Sequence, residues 1–318
     1  MPIIVFNFIN SKKKILSVLI KNKNKIEYIF SLFLVLFLIY QKDSYINQLP
    51  KDILNNKKIF TFWEPQEKIP GYIRLCIETW KKNLPEYEII ILDYKSLKNY
   101  ISETLLAKII CKNMSLSKQA DAIRVALLKI YGGIWMDADT IIINGEFLKG
   151  LENFELAMIG KGNMQHIGFI FSHINSTILK DWLKIIIIRV NKFKQTIKNL
   201  NFQNELKKFY TWDYLGNGII DRILTNISAT KFKRINKDEI NALPEIKYFK
   251  NSSFSPIRKY TLFYFQKRDI QLVLNNSKSI LLLHNSWSPS KYKKMSRQEF
   301  LKQDILLSRL LKHILNKY

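Results

Sequence analysis

Cysteine is nearly absent: Cys76 and Cys111 are the only two in 318 residues. Two are too few for a disulfide framework, and without a Cys-x-x-Cys pair or a Cys/His cluster there is no zinc-binding pattern. A reducing compartment is therefore permitted. Internal repeats are also absent, which excludes a repeat array. Acidic residues are scarce, 26 against 51 basic ones, for a formal net charge of +25 at pH 7. The lysines are spread along the whole chain among many Asn and Ile residues, so part of the excess reflects a lysine-biased genome. The remainder favours anionic membrane surfaces and phosphate-bearing substrates. Nucleic acid is not an expected partner. Apolar residues are not scarce: at 47% they are ample for a core, which excludes a disordered chain and suits one large domain with an appendage.

The first 50 residues differ from the rest. Lys12-Lys13-Lys14 and the lysines from Lys21 to Lys25 precede an uncharged run, Ile29 to Tyr40, with Tyr28 and Tyr40 at its ends. As a helix the run covers about 20 Å, short of the roughly 30 Å hydrocarbon core of a bilayer. Gln41-Lys42-Asp43 follows where a cleavable signal would need small residues, so the run at about 28–40 reads as an uncleaved anchor or a shallow insertion. It has no polar stripe, which argues against a buried core helix. The expected division is a basic N-terminus with its membrane segment at 1–50, a main domain at 51–293, and a basic amphipathic helix at 294–318. That last helix is expected to pack on the domain.

The richest stretch is Asp121-Ala122-Ile123-Arg124 followed by Gly132-Gly133-Ile134-Trp135-Met136-Asp137-Ala138-Asp139. Ser117 to Ile130 has the pattern of a buried helix, Gly132-Gly133 suits its C-cap, and Ile134-Trp135-Met136 reads as a buried strand that delivers the aspartates to its end. On a strand, Asp137 and Asp139 would share a face. Two carboxylates that close repel one another unless a cation lies between them. Oxygen ligands of this kind suit Mg²⁺ or Mn²⁺, which in turn suit a diphosphate. Asp121 and Arg124, three apart, share a helix face. Either residue alone would suggest a surface ion pair; in so apolar a helix the pair reads as part of a site.

Ser117-Lys118-Gln119-Ala120-Asp121-Ala122-Ile123-Arg124 with Tyr131-Gly132-Gly133-Ile134-Trp135-Met136-Asp137-Ala138-Asp139 resembles the DXD-bearing sugar transferases. These include capsular polysaccharide synthesis proteins, yeast initiating mannosyltransferases of the Golgi and the large clostridial glucosylating toxins. The resemblance implies an α/β fold of GT-A architecture, a Rossmann-like nucleotide-sugar transferase domain. It implies that Asp121 and Arg124 contact the donor sugar or its ribose, and that Asp137 and Asp139 hold Mn²⁺ or Mg²⁺ on the nucleotide diphosphate. Two further stretches extend it. Lys58 to Pro65 is similar to the family's first strand, with Trp63 near the base, although Trp63 is equally suited to a core. Leu281-Leu282-Leu283-His284-Asn285-Ser286-Trp287 is similar to the late segment that places His284 and Trp287 near metal and phosphates, although a His at a strand end is commonly structural. Trp80 to Asp93 reads as a helix ending near Asn83 and a strand, completing a first β-α-β unit.

Other segments read as an apolar helix from Thr177 to Val190, a loop from Leu243 to Phe254, and a strand from Tyr260 to Phe265. Asn163 to His166 and Thr211 to Gly218 read as polar loops suited to sugar and acceptor, with Asp213 the candidate acceptor residue. No side chain announces itself as nucleophile or general base.

The sum is a metal-dependent glycosyltransferase that moves a sugar from a nucleotide-sugar donor to a saccharide or lipid-linked acceptor in surface polysaccharide or lipopolysaccharide synthesis. Retention of configuration is implied by the resemblance. The expected location is the bacterial inner membrane with the catalytic domain cytoplasmic; the alternative is a Golgi type II membrane protein. Two other functions fit parts of the sequence. Asp137-Ala138-Asp139-Thr140 matches the nucleophile motif of haloacid dehalogenase-type phosphatases, with Asp137 attacking, but it follows a β-α-β unit and lacks the later acidic pair. The other is a non-catalytic saccharide-binding membrane protein.

Overall fold

Apolar and aromatic side chains alternate across two faces in Lys58–Phe62, and this segment is β1. Ile59 enters one core while Phe60 and Phe62 enter another. The computed structural model of the chain describes residues 57–198, 209–211, 213–237 and 243–316. Asn55–Tyr318 forms one unit; the expected membrane segment at 28–40 lies outside the described residues. Among the described residues no helix is long and apolar enough to cross a membrane.

Helix α1 (Gly71–Asn83) leads from β1 to β2 (Glu88–Leu92), which pairs in parallel with β1 from Lys58 opposite Glu88 to Phe62 opposite Leu92. This is the expected β-α-β unit. Helix α2 (Glu103–Ile109) and the longer α3 (Leu116–Tyr131) follow, then β3 (Gly133–Met136) and β4 (Thr140–Ile142). Next come β5 (Leu156–Lys161), β6 (Met164–Ser172), α4 (Thr177–Lys198), α5 (Asn217–Leu224) and β7 (Phe232–Asn236). The chain ends with α6 (Pro256–Tyr264), β8 (Ile280–Leu282), α7 (Arg297–Leu301) and α8 (Leu306–Asn316).

Six strands form one sheet in the order β2-β1-β3-β6-β5-β7, and β4 pairs with β8 in a separate ribbon. β1 is parallel to both neighbours and β5 to β7, while β6 is antiparallel to β3 and β5. Side chains of α2, α3, α4 and α5 fill the core on one face; those of α1, α6, α7 and α8 fill the core on the other. Covered on both faces, the strands β1, β3, β5 and β6 are buried almost throughout, which is why they read as apolar runs.

Three sequence expectations change. Tyr260–Phe265 is not a strand but the end of α6, with Phe265 at its C-cap. Ser255 caps it through the Arg258 N–H, Pro256 takes the first turn, and Tyr260, Phe263 and Tyr264 are buried at helical spacing. The Leu243–Phe254 loop contains a short helix at Pro244–Tyr248. The C-terminal helix is two helices: a Ser296/Glu299 capping box starts α7, the chain breaks after Leu301, and α8 buries Leu306, Leu307, Leu310, Leu311 and Ile314. It packs on the domain, with Lys82 donating to the Leu315 carbonyl at 2.7 Å.

Gly132 ends α3 with φ +65°, and a Cβ built there would lie 2.6 Å from the Ile174 nitrogen. Both the left-handed backbone and the contact require glycine. Gly132→Ala is expected to cost about 1–3 kcal/mol, seen as a lower thermal midpoint. An unshifted midpoint would mean that the helix-to-strand turn is not built this way.

Candidate active site

Arg124 lies on the buried face of α3, where the apolar helix leaves it no solvent. Its side chain and that of Asp121 are 6% and 8% exposed, with Nη2 3.0 Å from Asp121 Oδ1. Nη1 lies 3.3 Å from Asp137 Oδ1 and donates to the Ile167 carbonyl. Nε donates to the Ala120 carbonyl at 3.3 Å, and the guanidinium stacks on Trp135 with its carbon 4.9 Å from the ring centroid. Trp135 Nε1 also donates to Asp137 Oδ1 at 2.9 Å. The buried pair Asp121–Arg124 is therefore tied to the strand end through Asp137, whose side chain is 38% exposed. Removing Asp121 or Arg124 would cost about 3–5 kcal/mol because the other buried charge is stranded; Asp137 can stay solvated and costs less.

Asp137 extends the β3–β6 ladder by one residue, its N–H donating to the Gly168 carbonyl at 2.8 Å. The chain then turns, Thr140 N–H donating to the Asp137 carbonyl at 3.0 Å, and leaves for the β4–β8 ribbon. Asp137 and Asp139 thus flank a turn between two sheets. Strand alternation, the sequence argument for their common face, is not what places them.

The segment after β8 closes on that turn. Asn285 N–H donates to Asp139 Oδ2 at 2.7 Å, and Tyr72 on α1 donates to the Asn285 side-chain carbonyl. His284 N–H donates to the Tyr260 hydroxyl at 3.3 Å. The His284 ring packs on Trp287 with centroids 4.2 Å apart. His284 and Trp287 thus stand on either side of Asn285, the residue that touches the carboxylate turn.

Two groups at the site went unassigned in the sequence. His166 read as a loop residue, but Asn163 to His166 runs from the hairpin tip into β6. Its Nδ1 accepts from the Gly168 N–H at 3.1 Å, which leaves the proton on Nε2. A Cβ on Gly168 would lie 2.8 Å from Asp137 Oδ2 and 2.7 Å from His166 Cε1, so the missing side chain makes room for both groups. The alternation of Gln165, Ile167 and Phe169, all buried, was the available signal. Lys118, one turn before Asp121, is buried, and the charges of Asp121 and Asp213 both act on it.

Trp63 stands at the end of β1, half-buried against the core, its N–H donating to the Leu92 carbonyl at 2.8 Å. Asp213 precedes α5, and its carbonyl accepts from the Gly218 N–H at 2.9 Å. It lines a concavity of about 490 Å³ with Arg189, Tyr214 and Arg222, on the Lys118 side of Asp121.

Electrostatics shift these groups strongly. Burial pushes the Asp121 carboxyl up to about 7 despite Arg124. Burial, then the charge of Asp137, pushes Asp139 up to about 7. Burial and Lys237 push His166 down to about 4 and lower His284 as well.

Among the described residues no three His, Cys, Asp or Glu side chains converge as a cage for a metal. The donor set nonetheless fits a small hard cation. Mg²⁺ and Mn²⁺ are commonly held by one or two carboxylates plus substrate phosphates, and Asp137 and Asp139 supply two carboxylates whose mutual repulsion a cation relieves. The phosphatase reading fares less well: its motif sets the Thr two residues after the second Asp, where this chain has the fully buried Ile141.

A family model of the capsular polysaccharide synthesis protein matches residues 17–296. No curated protein matches the sequence. Among solved structures the chain is similar to the PaToxG glycosyltransferase, at 20% identity and a TM-score of 0.36, covering 54% of this chain and 69% of that one. It is also similar to a glycosyltransferase involved in glycosylation of the major capsid of PBCV-1, at 12% identity and 0.38, covering 74% and 97%. A third is the galactosyltransferase LgtC in complex with donor and acceptor sugar analogs, at 11% identity and 0.36, covering 81% and 95%.

Asp139, which forms no ion pair among the described residues, holds a proton in the folded protein that it loses when unfolded. Between its ordinary range, near 3.8, and about 7, the folded state binds more protons, so stability falls as pH rises through that window. Thermal midpoints measured in chelator should therefore decline from about pH 5 to pH 8, and Asp139→Asn should flatten the decline. A slope equal to the parent's in Asp139→Asn would remove Asp139 from this role.

Proposed function

We propose, for a chain that belongs to the capsular polysaccharide synthesis protein family and is a glycosyltransferase, that it is of GT-A architecture and uses a divalent cation to transfer a sugar from a nucleotide-sugar donor to a saccharide or lipid-linked acceptor, with retention at the anomeric carbon. The observation that carries this reading is the carboxylate turn Asp137-Ala138-Asp139, joined by Arg124 to α3 and closed by Asn285. The chain is held at the inner membrane by residues 28–40, with the catalytic unit cytoplasmic, where nucleotide sugars are made.

Asp137 and Asp139 would hold the cation, with His284 beside them. When bound, it neutralises charge that builds on the leaving diphosphate. Arg124 fixes Asp137 in one orientation and takes up part of its charge, so the carboxylate is positioned before substrate arrives. Trp135 holds the same oxygen. Asp121, on the far side of Arg124, keeps the guanidinium in place and borders the space beside Gly216, where a Cβ would lie 3.2 Å from Asp121 Oδ2. Asp213 and Lys118 lie on that side, suited to hydroxyl groups of the transferred or accepting sugar. His166, with Nε2 protonated, is a neutral donor beside Asp137. Trp63 follows the last residue of β1, where a base would stack. No side chain supplies a covalent nucleophile in this reading; the acceptor hydroxyl attacks on the face from which the diphosphate leaves.

A panel of nucleotide sugars, assayed for cation-dependent hydrolysis and for thermal stabilisation of the full chain, tests the reading. One donor should be turned over with Mn²⁺ or Mg²⁺, and chelator, Asp137→Asn or Asp139→Asn should each lower the rate about a hundredfold or more with folding intact. Full turnover in excess chelator would sink the cation, and turnover of none would sink the transfer reading.

Arg124→Lys keeps a positive charge but not the planar fork that reaches Asp121, Asp137 and the Ile167 carbonyl together. Its activity should fall about 10- to 100-fold, with a higher cation concentration needed for half-maximal rate. A raised donor KM at unchanged cation dependence would instead place Arg124 against the sugar.

A further inference from the structure

Away from the carboxylate turn, an open groove of about 760 Å³ lined mainly by cations lies between the start of α1 and the segment leading into α7. Lys68, Arg74, Lys293, Lys294 and Arg297 line it, against Glu299 alone of opposite sign. Local pairing removes little of that excess. Arg297 is bridged to Glu78 at 2.6 Å. The Glu299 carboxylate is turned back onto the Ser296 N–H at 2.8 Å within its capping box. Arg74 Nη2 is held by the Gln66 and Glu67 carbonyls at 3.3 and 3.4 Å, which orient it without cancelling its charge. Lys68, Lys293 and Lys294 have no carboxylate within ion-pair distance among the described residues. Like charges gathered in one concavity repel each other and favour occupation by an anion.

The groove is preformed. Gly71 N–H donates to the Met295 carbonyl at 3.2 Å, and a Cβ on Gly71 would lie 2.4 Å from the Ser296 carbonyl carbon and 2.5 Å from the Arg297 nitrogen. The two walls therefore touch, backbone to backbone. One buried side chain links the groove to the carboxylate turn: Tyr72, which follows Gly71 and is 0% exposed, donates to Asn285, and Asn285 N–H donates to Asp139.

We propose that this groove binds the acceptor, an anionic glycan whose carboxylate or phosphate groups lie along Lys68, Arg74, Lys293 and Lys294 while its end reaches the carboxylate turn. The assignment rests on the sugar-transfer reading above. A neutral saccharide would leave these cations uncompensated. A bilayer, being flat, cannot enter the concavity, so a bound chain fits its shape better than a lipid surface.

The test compares the full chain in neutral detergent with its Lys293→Glu/Lys294→Glu variant. The probes are oligogalacturonate, polyglycerol phosphate, a maltooligosaccharide of similar length, and vesicles of phosphatidylglycerol in phosphatidylcholine. The parent should bind one or both anionic saccharides, more weakly as salt rises, and not the maltooligosaccharide. The variant should lose about tenfold or more of that affinity while hydrolysing the nucleotide sugar, without acceptor, at the parent rate. The anionic saccharide preferred identifies carboxylate or phosphate as the recognised group. Equal affinity in parent and variant, equal binding of the neutral saccharide, or a loss confined to vesicles would overturn the groove. Should no nucleotide sugar be hydrolysed by the parent while charge-selective saccharide binding persists, the transfer reading fails and the groove stands as a glycan site. A Lys293→Gln/Lys294→Gln pair, which removes charge without reversing it, separates lost attraction from misfolding by giving an intermediate loss.

Discussion

A guanidinium with almost no access to water holds the candidate site together. Arg124 reaches Asp121 on its own helix, Asp137 at the end of β3 and the Ile167 carbonyl on β6, so three elements that converge from different parts of the chain are fixed by one planar group. Alone in an apolar helix that charge would be prohibitive. Surrounded by carboxylates and carbonyls, and stacked on Trp135, it becomes the reason that α3 and β3 keep one register. The Gly132-Gly133 turn serves the same end, because only a tight reversal after Tyr131 brings the strand back beside the helix it has just left.

The same arrangement leaves the negative charge unevenly compensated. Asp121 and Asp137 share Arg124, whereas Asp139 has the Asn285 N–H and the repulsion of Asp137. Burial, then the charge of Asp137, raises its carboxyl to about 7 against the opposing pull of that N–H. A cage of three or more protein ligands would hold a cation without substrate, whereas two carboxylates need further oxygens to complete its shell; under the proposed function the donor's phosphates would supply them, and cation and donor binding would be coupled.

Much of the scaffold was legible because local rules and burial agree. Lys58–Phe62, the helix up to Asn83 and the strand to Leu92 are an apolar strand, an amphipathic helix and a second apolar strand, and they fold as one parallel unit. Asp121 and Arg124 were recognisable from a polar pair inside an apolar helix. What was not legible is long-range. Tyr260–Phe265 has strand-like composition, but Ser255-Pro256 supplies a helix start that composition does not weigh. His166 was hidden because a short polar hairpin tip resembles a loop, and only pairing with β5 puts the residue on a strand facing Asp137. Asn285 and Tyr72 carried no signal, since 213 residues separate two groups that share one hydrogen bond.

The carboxylate pair itself is the instructive case. Its common placement was expected from alternation along a strand, yet the strand ends at Met136 and the chain turns between the two aspartates. The turn exists because Asp137 still belongs to the main sheet, through the Gly168 carbonyl, while Thr140 belongs to the ribbon with β8. A chain that must leave one sheet for another within three residues has no room for a helix or a long loop, and both aspartates stay at the edge where the sheets part. That edge lies past the carboxyl end of β3, beside the parallel strand β1, where open α/β sheets leave a crevice for ligands. The three-residue spacing of the motif is thus a consequence of the sheet switch: lengthening it by one residue would carry Asp139 away from Asn285 and leave Asp137 held only from its own side, by Arg124 and Trp135.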